Sequence, residues 1–417
     1  MTQLSEDCFA FGGELLNVDA ALALIEERVS AVVDAVGVPT ENARGRILAR
    51  DVVARMSLPP HANSAVDGYA FAHADLTPDR ETLLPVCGSV AAGHPLGRAA
   101  VRGEAVRIFT GAPMPEGMDT VMMQEDCVIE QGQVRLKPGI RKGANRRHAG
   151  EDVAKGATAL AAGRRLSPAD LGLAAALGCR ELAVFRPLRV ALLSTGDEVR
   201  EPGPALPPGC VYDANRFMLA ALLAGLGCEV TDFGIRPDRE SALADTLVAA
   251  SDGHDLIVTS GGVSTGEEDH VKPAIERLGR LHFWRLAIKP GRPVALGRIG
   301  GIPLIGLPGN PVAVLVTFVI LARPMILRLG GAVAPAPRLF PVRAGFAYRK
   351  KPGRREYLRA SLERDADTVV AVKYPRDGAG ILSSIVCSEG LVVLDETTSE
   401  LALGSTVNFL PFSEVIA

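Results

Sequence analysis

The chain has 417 residues, 47% of them hydrophobic and 22% charged, with a formal net charge of −3. That length exceeds one ordinary core and implies about two to four domains, and the balance of apolar and charged residues excludes a disordered polymer. The weak net acidity argues against a general nucleic-acid binder, and the seven cysteines show no CxxC or paired zinc spacing, as expected of reduced thiols.

Taken in chain order, the start MTQLSEDCFAF is acidic and lacks a signal-peptide pattern. Residues 14–29, ELLNVDAALALIEERV, carry apolar side chains at helical spacing and predict an amphipathic helix. Residues 55–145 are rich in Pro, Gly and Val in short alternating runs, which predicts a mainly β insert. SPADLGLAAALG at 167–178 predicts a helix with Ser167 as N-cap, Pro168 in the first turn, Asp170 at the capping-box position and Gly178 as the stop.

From 186 to 330 the pattern alternates: strand LRVALLST, helix ANRFMLAALLAGLG, strand CEVTDFGI, helix DRESALADTLVAAS, strand DLIVTS, helix VKPAIERLG. This is the rhythm of a parallel three-layer α/β unit, whose ligands collect at the carboxyl ends of the strands. The longest apolar run, Val312–Ala322, is shorter than the roughly 20 residues a spanning helix needs, so no membrane is expected and the protein reads as soluble and cytoplasmic. PAPRL at 335–339 reads as a linker, and 340–417 as a small β domain.

The stretches able to carry chemistry lie at turns. SGGVSTGEEDH, Ser260 to His270, joins a Gly-rich turn to the successive acids Glu267, Glu268 and Asp269. Backbone N–H groups around Ser260, Gly261, Gly262 and Ser264 would nest an anion, which the acids oppose. A divalent cation resolves the conflict, because Mg²⁺ takes one or two carboxylates and keeps its other positions for water and phosphate oxygens. The same acids read equally as a solvated helix start favoured by the helix dipole. STGDEV at 194–199 is a second acidic strand-end loop that contains Glu198, and in one parallel sheet the two loops would face one cleft.

GLPGNPV at 306–312 places Asn310 at an N-cap and Pro311 at the first helical position, with exposed N–H groups ahead of an apolar helix at 312–322. FWRLAIKPGRP supplies Arg285, Lys289 and Arg292, which either point into water or bind an oxyanion. In the insert, PPHANSAVDGYAF holds Asp67-Gly68 in a tight turn, TGAPMPEG is a polar turn at 110–117, and NRRHAGED at 145–152 is a hinge or a site. No nucleophilic triad, HExxH pattern or Walker loop is present.

The stretches NSAVDGYAF, FTGAPMPEG, RRHAGEDV, LSTGDEV, SGGVSTGEEDHVK, FWRLAIKPGRP and LPGNPV stand in the order found in the bacterial molybdopterin molybdenumtransferases. The chain resembles that family, MoeA, which is related to the C-terminal domain of gephyrin, from residue 14 to about residue 412. The resemblance implies insertion of molybdate into adenylylated molybdopterin, with Mg²⁺ and release of AMP, by an elongated homodimer. It implies a central three-layer α/β molybdopterin-binding domain at 186–334 and a β-rich insert domain at 51–145. A discontinuous helical linker domain at 7–50 and 146–185 and a C-terminal small β-barrel at 335–417 complete the multidomain α/β plus β plan.

Carried over motif by motif, the resemblance implies catalytic roles for Asp67, Thr110, Asp152, Glu198, Asp238 and Asp269, with Glu198 and Asp269 on the metal. Asp67 would act across the dimer. Arg147, Arg285, Lys289 and Arg292 would serve anionic groups, together with the Gly-rich turn. Pro308, Asn310 and Pro311 would shape the cleft, and Arg359 would contact it from the C-terminal domain. Arg285 stands where a lysine is common, and Ala379 where some relatives carry a serine. The implied partners are a molybdopterin adenylyltransferase and molybdoenzyme delivery proteins. Two alternatives stay open: the adenylyltransferase reaction itself, which would consume ATP, and a non-catalytic pterin-nucleotide scaffold.

Overall fold

The computed structural model describes residues 15–261, 271–291, 293–333, 336–365 and 368–416. The first helix, α1 (Val18–Arg28), starts at Asn17, whose Oδ1 accepts from the Ala20 N–H at 2.7 Å. Its buried face, Val18, Ala21 and Ile25, packs into the same core as the central sheet.

The insert is a six-stranded sheet of β1 (Gly68–Phe71), β2 (Thr82–Val90), β3 (Ala105–Ile108), β4 (Thr120–Met123), β5 (Val128–Glu130) and β6 (Gln133–Leu136), in the order β4-β1-β3-β2-β6-β5. Its two faces bury separate apolar sets, one around Ala70, Val106 and Ile108 and the other around Phe71, Ala105 and Met122. That split follows from the period of two along each strand. At its base, Asn63–Ser64 pairs with Arg146–Arg147.

The linker carries α2 (Pro168–Ala176) with the expected capping box: Ser167 accepts from the Asp170 N–H while Asp170 accepts from Ser167. Two short ladders, Ala35–Pro39 with Glu181–Phe185 and Val52–Val53 with Thr158–Leu160, complete it around Leu48, Leu166 and Val184.

The central sheet contains β7 (Arg189–Thr195), β8 (Glu229–Arg236), β9 (Leu256–Ser260), β10 (Gly279–Arg285), β11 (Pro293–Ile299) and β12 (Ile302–Leu307) in the order β8-β7-β9-β12-β11-β10. Strands β8, β7, β9 and β12 run parallel as expected, but β11 and β10 are antiparallel, so the sheet is mixed. Strand and helix alternate only as far as the helix Val271–Leu278, and the two hairpins that join β10, β11 and β12 lack the helices that a parallel crossover requires. Alternate residues of β7 separate the two faces. Val190 and Leu192 face α3 (Ala214–Gly225), whereas Ala191 and Leu193 face α4 (Glu240–Ser251) and α5 (Val271–Leu278).

The helix after β12 is longer than the expected 312–322. It runs as α6 (Pro311–Thr317), a π segment (Phe318–Ala322) and α7 (Arg323–Leu329). This stretch is long and apolar enough to cross a membrane, but most of it is buried, which makes it a core helix against the sheet, α1 and the C-terminal domain.

The C-terminal strands β13 (Phe340–Ala344), β14 (Arg355–Asp365), β15 (Thr368–Lys373), β16 (Gly390–Leu394) and β17 (Thr406–Pro411) close into a barrel, because β14 pairs with both β15 and β16. Ile288–Lys289 of the central domain adds to β14 as a parallel ladder. Arg355 fixes the same junction from the other side, at 2.8 Å from Asp19 of α1 and 3.2 Å from Glu396.

Candidate functional site

Three of the quoted stretches meet at the base of the insert. The Ser64 N–H donates to Ala112 O at 3.0 Å, the Gly111 N–H donates to Ser64 O at 2.8 Å, and Arg147 lies across from Asn63 in the ladder. The Asp67 carboxylate accepts from both the N–H (2.7 Å) and the hydroxyl (2.8 Å) of Thr110. These two donors hold its pKa below the usual carboxylate range even though the group is open to water. Asp67 and Thr110 thus form one unit. Asp152 is exposed and tied by its N–H to Leu58 O at 3.1 Å, and the Arg147 guanidinium is 3.9 Å from Glu151.

Arg107 lies near this unit. Its guanidinium sits 5.0 Å from the ring centroids of both Tyr69 and Phe109 and donates to Gly68 O and Gln124. Its charge also lowers the Asp67 pKa.

The second group lies at the carboxyl ends of the central strands. Ser194 at the end of β7 stands opposite Ser260 at the end of β9. Gly261 follows at φ +87°, and a Cβ there would approach Thr195 O to 2.5 Å, so only glycine permits this turn. Its N–H donates to Leu307 O at 3.2 Å, which brings Ser260–Gly261 against the start of the turn at 308–310. Glu198 curls back over Gly196, where a Cβ would come within 2.6 Å of its Oε2. Asp238, in the loop after β8, joins the same acidic loop through its N–H, which donates to Asp197 Oδ1 at 3.2 Å.

The amides expected to be exposed at the start of α6 need correction. The Val312 N–H donates to Ala379 O of the C-terminal domain at 2.9 Å, and Asn310 occupies the N-cap without a side-chain capping bond. The barrel loop covers this helix start and takes an amide that an anion would have used.

The third group straddles the junction of the central and C-terminal domains. Lys289 Nζ is 3.2 Å from Glu356 Oε2 and 3.4 Å from Tyr348 OH, and the Tyr348 hydroxyl donates to Glu356 at 3.0 Å. Glu356 is only 1% exposed. Burial pulls the Lys289 ammonium down, but Glu356 and Tyr348 outweigh it and hold its pKa above the ordinary value. Arg285 is exposed at the end of β10, and its carbonyl accepts from the Leu16 N–H at 3.0 Å. Arg359 is buried within the barrel. Its Nε donates to Ser384 Oγ at 3.0 Å, and burial lowers its pKa. It steadies the loop that presents Ala379.

Gly262, Ser264, Asp269 and Arg292 lie outside the described residues. Among the described residues no group of three or more His, Cys, Asp or Glu is arranged to hold a metal. Mg²⁺ does not need one, since one or two hard carboxylates with phosphate oxygens and water complete its shell. The acidic loop holds hard carboxylates of that kind in Glu198 and in Asp197, to which the Asp238 N–H donates.

Sequence reasoning missed Asn215, Arg216 and Glu356. The signal for the first two was Asp213-Ala-Asn-Arg, a polar quartet at the start of an apolar helix. Glu356 carried none, because its partner Lys289 is 67 positions away.

The comparisons accord with this geometry. A model described as the MoeA N-terminal region (domain I and II) matches 16–178, a probable molybdopterin binding domain matches 191–328, and the MoeA C-terminal region (domain IV) matches 341–412. A molybdopterin molybdenumtransferase of Haemophilus influenzae is 37% identical over 407 residues, covering 96% of this chain and 100% of its own. The chain belongs to the molybdopterin molybdenumtransferase family. As a member of the family it is a transferase of molybdenum cofactor biosynthesis, and the adenylyltransferase and scaffold alternatives are not favoured.

A further molybdenumtransferase relative, numbered 2, from Mycobacterium tuberculosis is 36% identical over 378 residues, covering 88% of this chain and 93% of its own. The crystal structure of a molybdopterin biosynthesis MoeA protein from Pyrococcus horikoshii superposes with a TM-score of 0.81 at 27% identity, covering 95% of this chain and all of the other.

Proposed function

We propose that this protein inserts molybdate into adenylylated molybdopterin and releases AMP in a Mg²⁺-dependent reaction. The observation that carries the reading is the junction of Ser260, Gly261 and the 308–310 turn beside the acidic loop of Glu198, within the stretch matched by a molybdopterin-binding model. The turn backbone that follows Ser260 would hold the nucleotide phosphates, with Pro308, Asn310 and Pro311 setting the wall. Glu198 and Asp269 would hold Mg²⁺, which when bound neutralises phosphoanhydride charge and acts as a Lewis acid. Arg285, Lys289 and Arg292 would attract molybdate and phosphate by charge. Holding molybdate beside the dithiolene lowers the entropic part of the barrier.

Asp67 of the insert, kept ionised by Thr110, would act with Arg147 and Asp152 of the adjoining linker as an acceptor and charge set. The insert and the central domain have separate cores, and their candidate residues form separate groups. In this reading the protein is a homodimer in which the insert of one copy completes the cleft of the other. The same reading divides the chain into 7–50 with 146–185, 51–145, 186–334 and 335–417; the insert and the linker core around Leu48, Leu166 and Val184 stand apart, whereas α1 shares the core of the central domain. A cytoplasmic site of action, an adenylyltransferase as supplier and delivery proteins as acceptors belong to the same reading.

The test is AMP release from adenylylated molybdopterin by wild type and Asp269→Asn. Release should require both molybdate and Mg²⁺ and nearly vanish in the folded variant. Wild-type turnover by Asp269→Asn would remove that residue from the reaction.

A further inference from the structure

We infer that Asn215 is a positioning residue of the nucleotide cleft, and that its side-chain amide clamps the 308–310 turn onto the end of β9. The inference deepens the reading above and rests on it for the identity of the ligand.

The clamp stands on a rigid base. Asp213 caps α3 by accepting from the Arg216 N–H at 3.0 Å, and the Arg216 side chain, only 5% exposed, returns to Asp213 at 3.0 Å. The same guanidinium reaches Glu201 at 2.6 Å and also binds Asp232 on β8. The first turn of α3 is therefore tied to its cap, to the loop after the acidic turn and to the neighbouring strand.

Asn215 stands in that first turn. Its Nδ2 donates to Gly309 O at 2.7 Å and to Ser260 Oγ at 3.0 Å. A carbonyl only accepts, so the amide nitrogen must face Gly309, and the orientation of Asn215 follows from its partners. Ser260 Oγ in turn donates to Pro308 O at 3.3 Å. The order Asn215 to Ser260 to Pro308 is consistent in donors and acceptors throughout. Both protons of one amide are used to join two segments that are 49 positions apart in sequence, Ser260 and Gly309. The isosteric carboxylate cannot replace it, because an ionised aspartate has no proton to donate: it would face the lone pairs of Gly309 O, and could hold Ser260 only by drawing its single proton away from Pro308 O.

This arrangement predicts an unusual ranking of variants. If Asn215 merely filled space, Asn215→Asp would be milder than Asn215→Ala. If its donors hold the turns, Asn215→Asp is the worse of the two. Losing a clamp that orders the ground-state site should raise KM for adenylylated molybdopterin roughly tenfold in Asn215→Ala, and further in Asn215→Asp, with kcat changed less than about threefold. Hydrogen exchange of the ligand-free protein should quicken over 307–312 in both variants. Ser260→Ala removes the middle hydroxyl of the relay and should give the same pattern, so it substitutes if either Asn215 variant loses its unfolding transition. Asn215→Asp milder than Asn215→Ala, with unchanged exchange over 307–312, would overturn the inference. The exchange measurement needs no substrate, so failure of wild type to turn over adenylylated molybdopterin would remove the proposed function while leaving the clamp to be judged separately.

Discussion

Lys289→Ala is the variant that first suggests itself for testing the anion site, and the structure predicts that it will report two effects at once. The substitution removes a cation from the junction of the central and C-terminal domains. It also leaves the Glu356 carboxylate, 1% exposed, with Tyr348 OH as its remaining partner in the triad. Stripping a fully buried ion of its partner costs about 3–5 kcal/mol. The Lys289 side chain is 49% exposed, so water already screens the pair and the cost falls to about 1–2 kcal/mol. The raised Lys289 pKa keeps the ammonium charged, so this loss should not vary with pH between about 6 and 9.

Adding Glu356→Gln removes the stranded charge. The double variant should regain most of the stability in urea unfolding, while still needing more molybdate than wild type for half-maximal AMP release. Two results would refute the reasoning. One is a double variant as unstable as Lys289→Ala. The other is a double variant with the molybdate dependence of wild type, which would mean that Lys289 acts only through Glu356.

Asp255, buried between Arg186 and Arg189, has its pKa lowered to about 2 by those partners against the burial that opposes them. Its folded pKa lies below its unfolded one, so its stabilisation of about 2 kcal/mol is present above pH ~4 and lost as pH falls toward 2. Asp255→Asn should flatten that part of a pH series of urea unfolding curves. Thr110→Val removes the hydroxyl but not the amide from Asp67. It should raise the acid limb of the pH–rate profile and cost about tenfold in AMP release without shifting the unfolding midpoint. Arg216→Met leaves Asp213, 4% exposed, without its cation, and should destabilise the protein by about 3 kcal/mol in urea unfolding.

The sequence revealed what local rules govern. Ser167 and Asp170 announce the capping box of α2, and the alternation from Leu188 to Ser260 announces strands with helices between them, because caps and periodicity act over a few residues. The helix from Pro311 to Leu329 was read short because its register changes in the π segment and Pro324 falls within it, both of which interrupt an α-helical pattern. The hairpin of β10 and β11 was hidden in FWRLAIKPGRP, where the basic residues drew the reading toward a binding turn.

Among the candidate site residues, Asp67 and Thr110 were both visible and are in contact. Lys289 and Arg359 were visible only as charges. Ser384, the partner of Arg359, is set by the fold of the barrel, and Glu356, the partner of Lys289, and the coverage of Val312 by Ala379 depend on how the barrel docks, neither of which a local pattern encodes. For Asn215 the polar start of α3 is the local signal, but its partner Gly309 is brought to it only by the tertiary structure.

The most direct test of the central claim is a single-turnover experiment that counts AMP released and molybdenum retained in the pterin from the same sample. The protein, adenylylated molybdopterin and Mg²⁺ are mixed with and without molybdate. The account predicts roughly one AMP for each molybdenum incorporated, and little AMP when molybdate is omitted. Binding of the nucleotide without AMP release at any molybdate or Mg²⁺ concentration would contradict it.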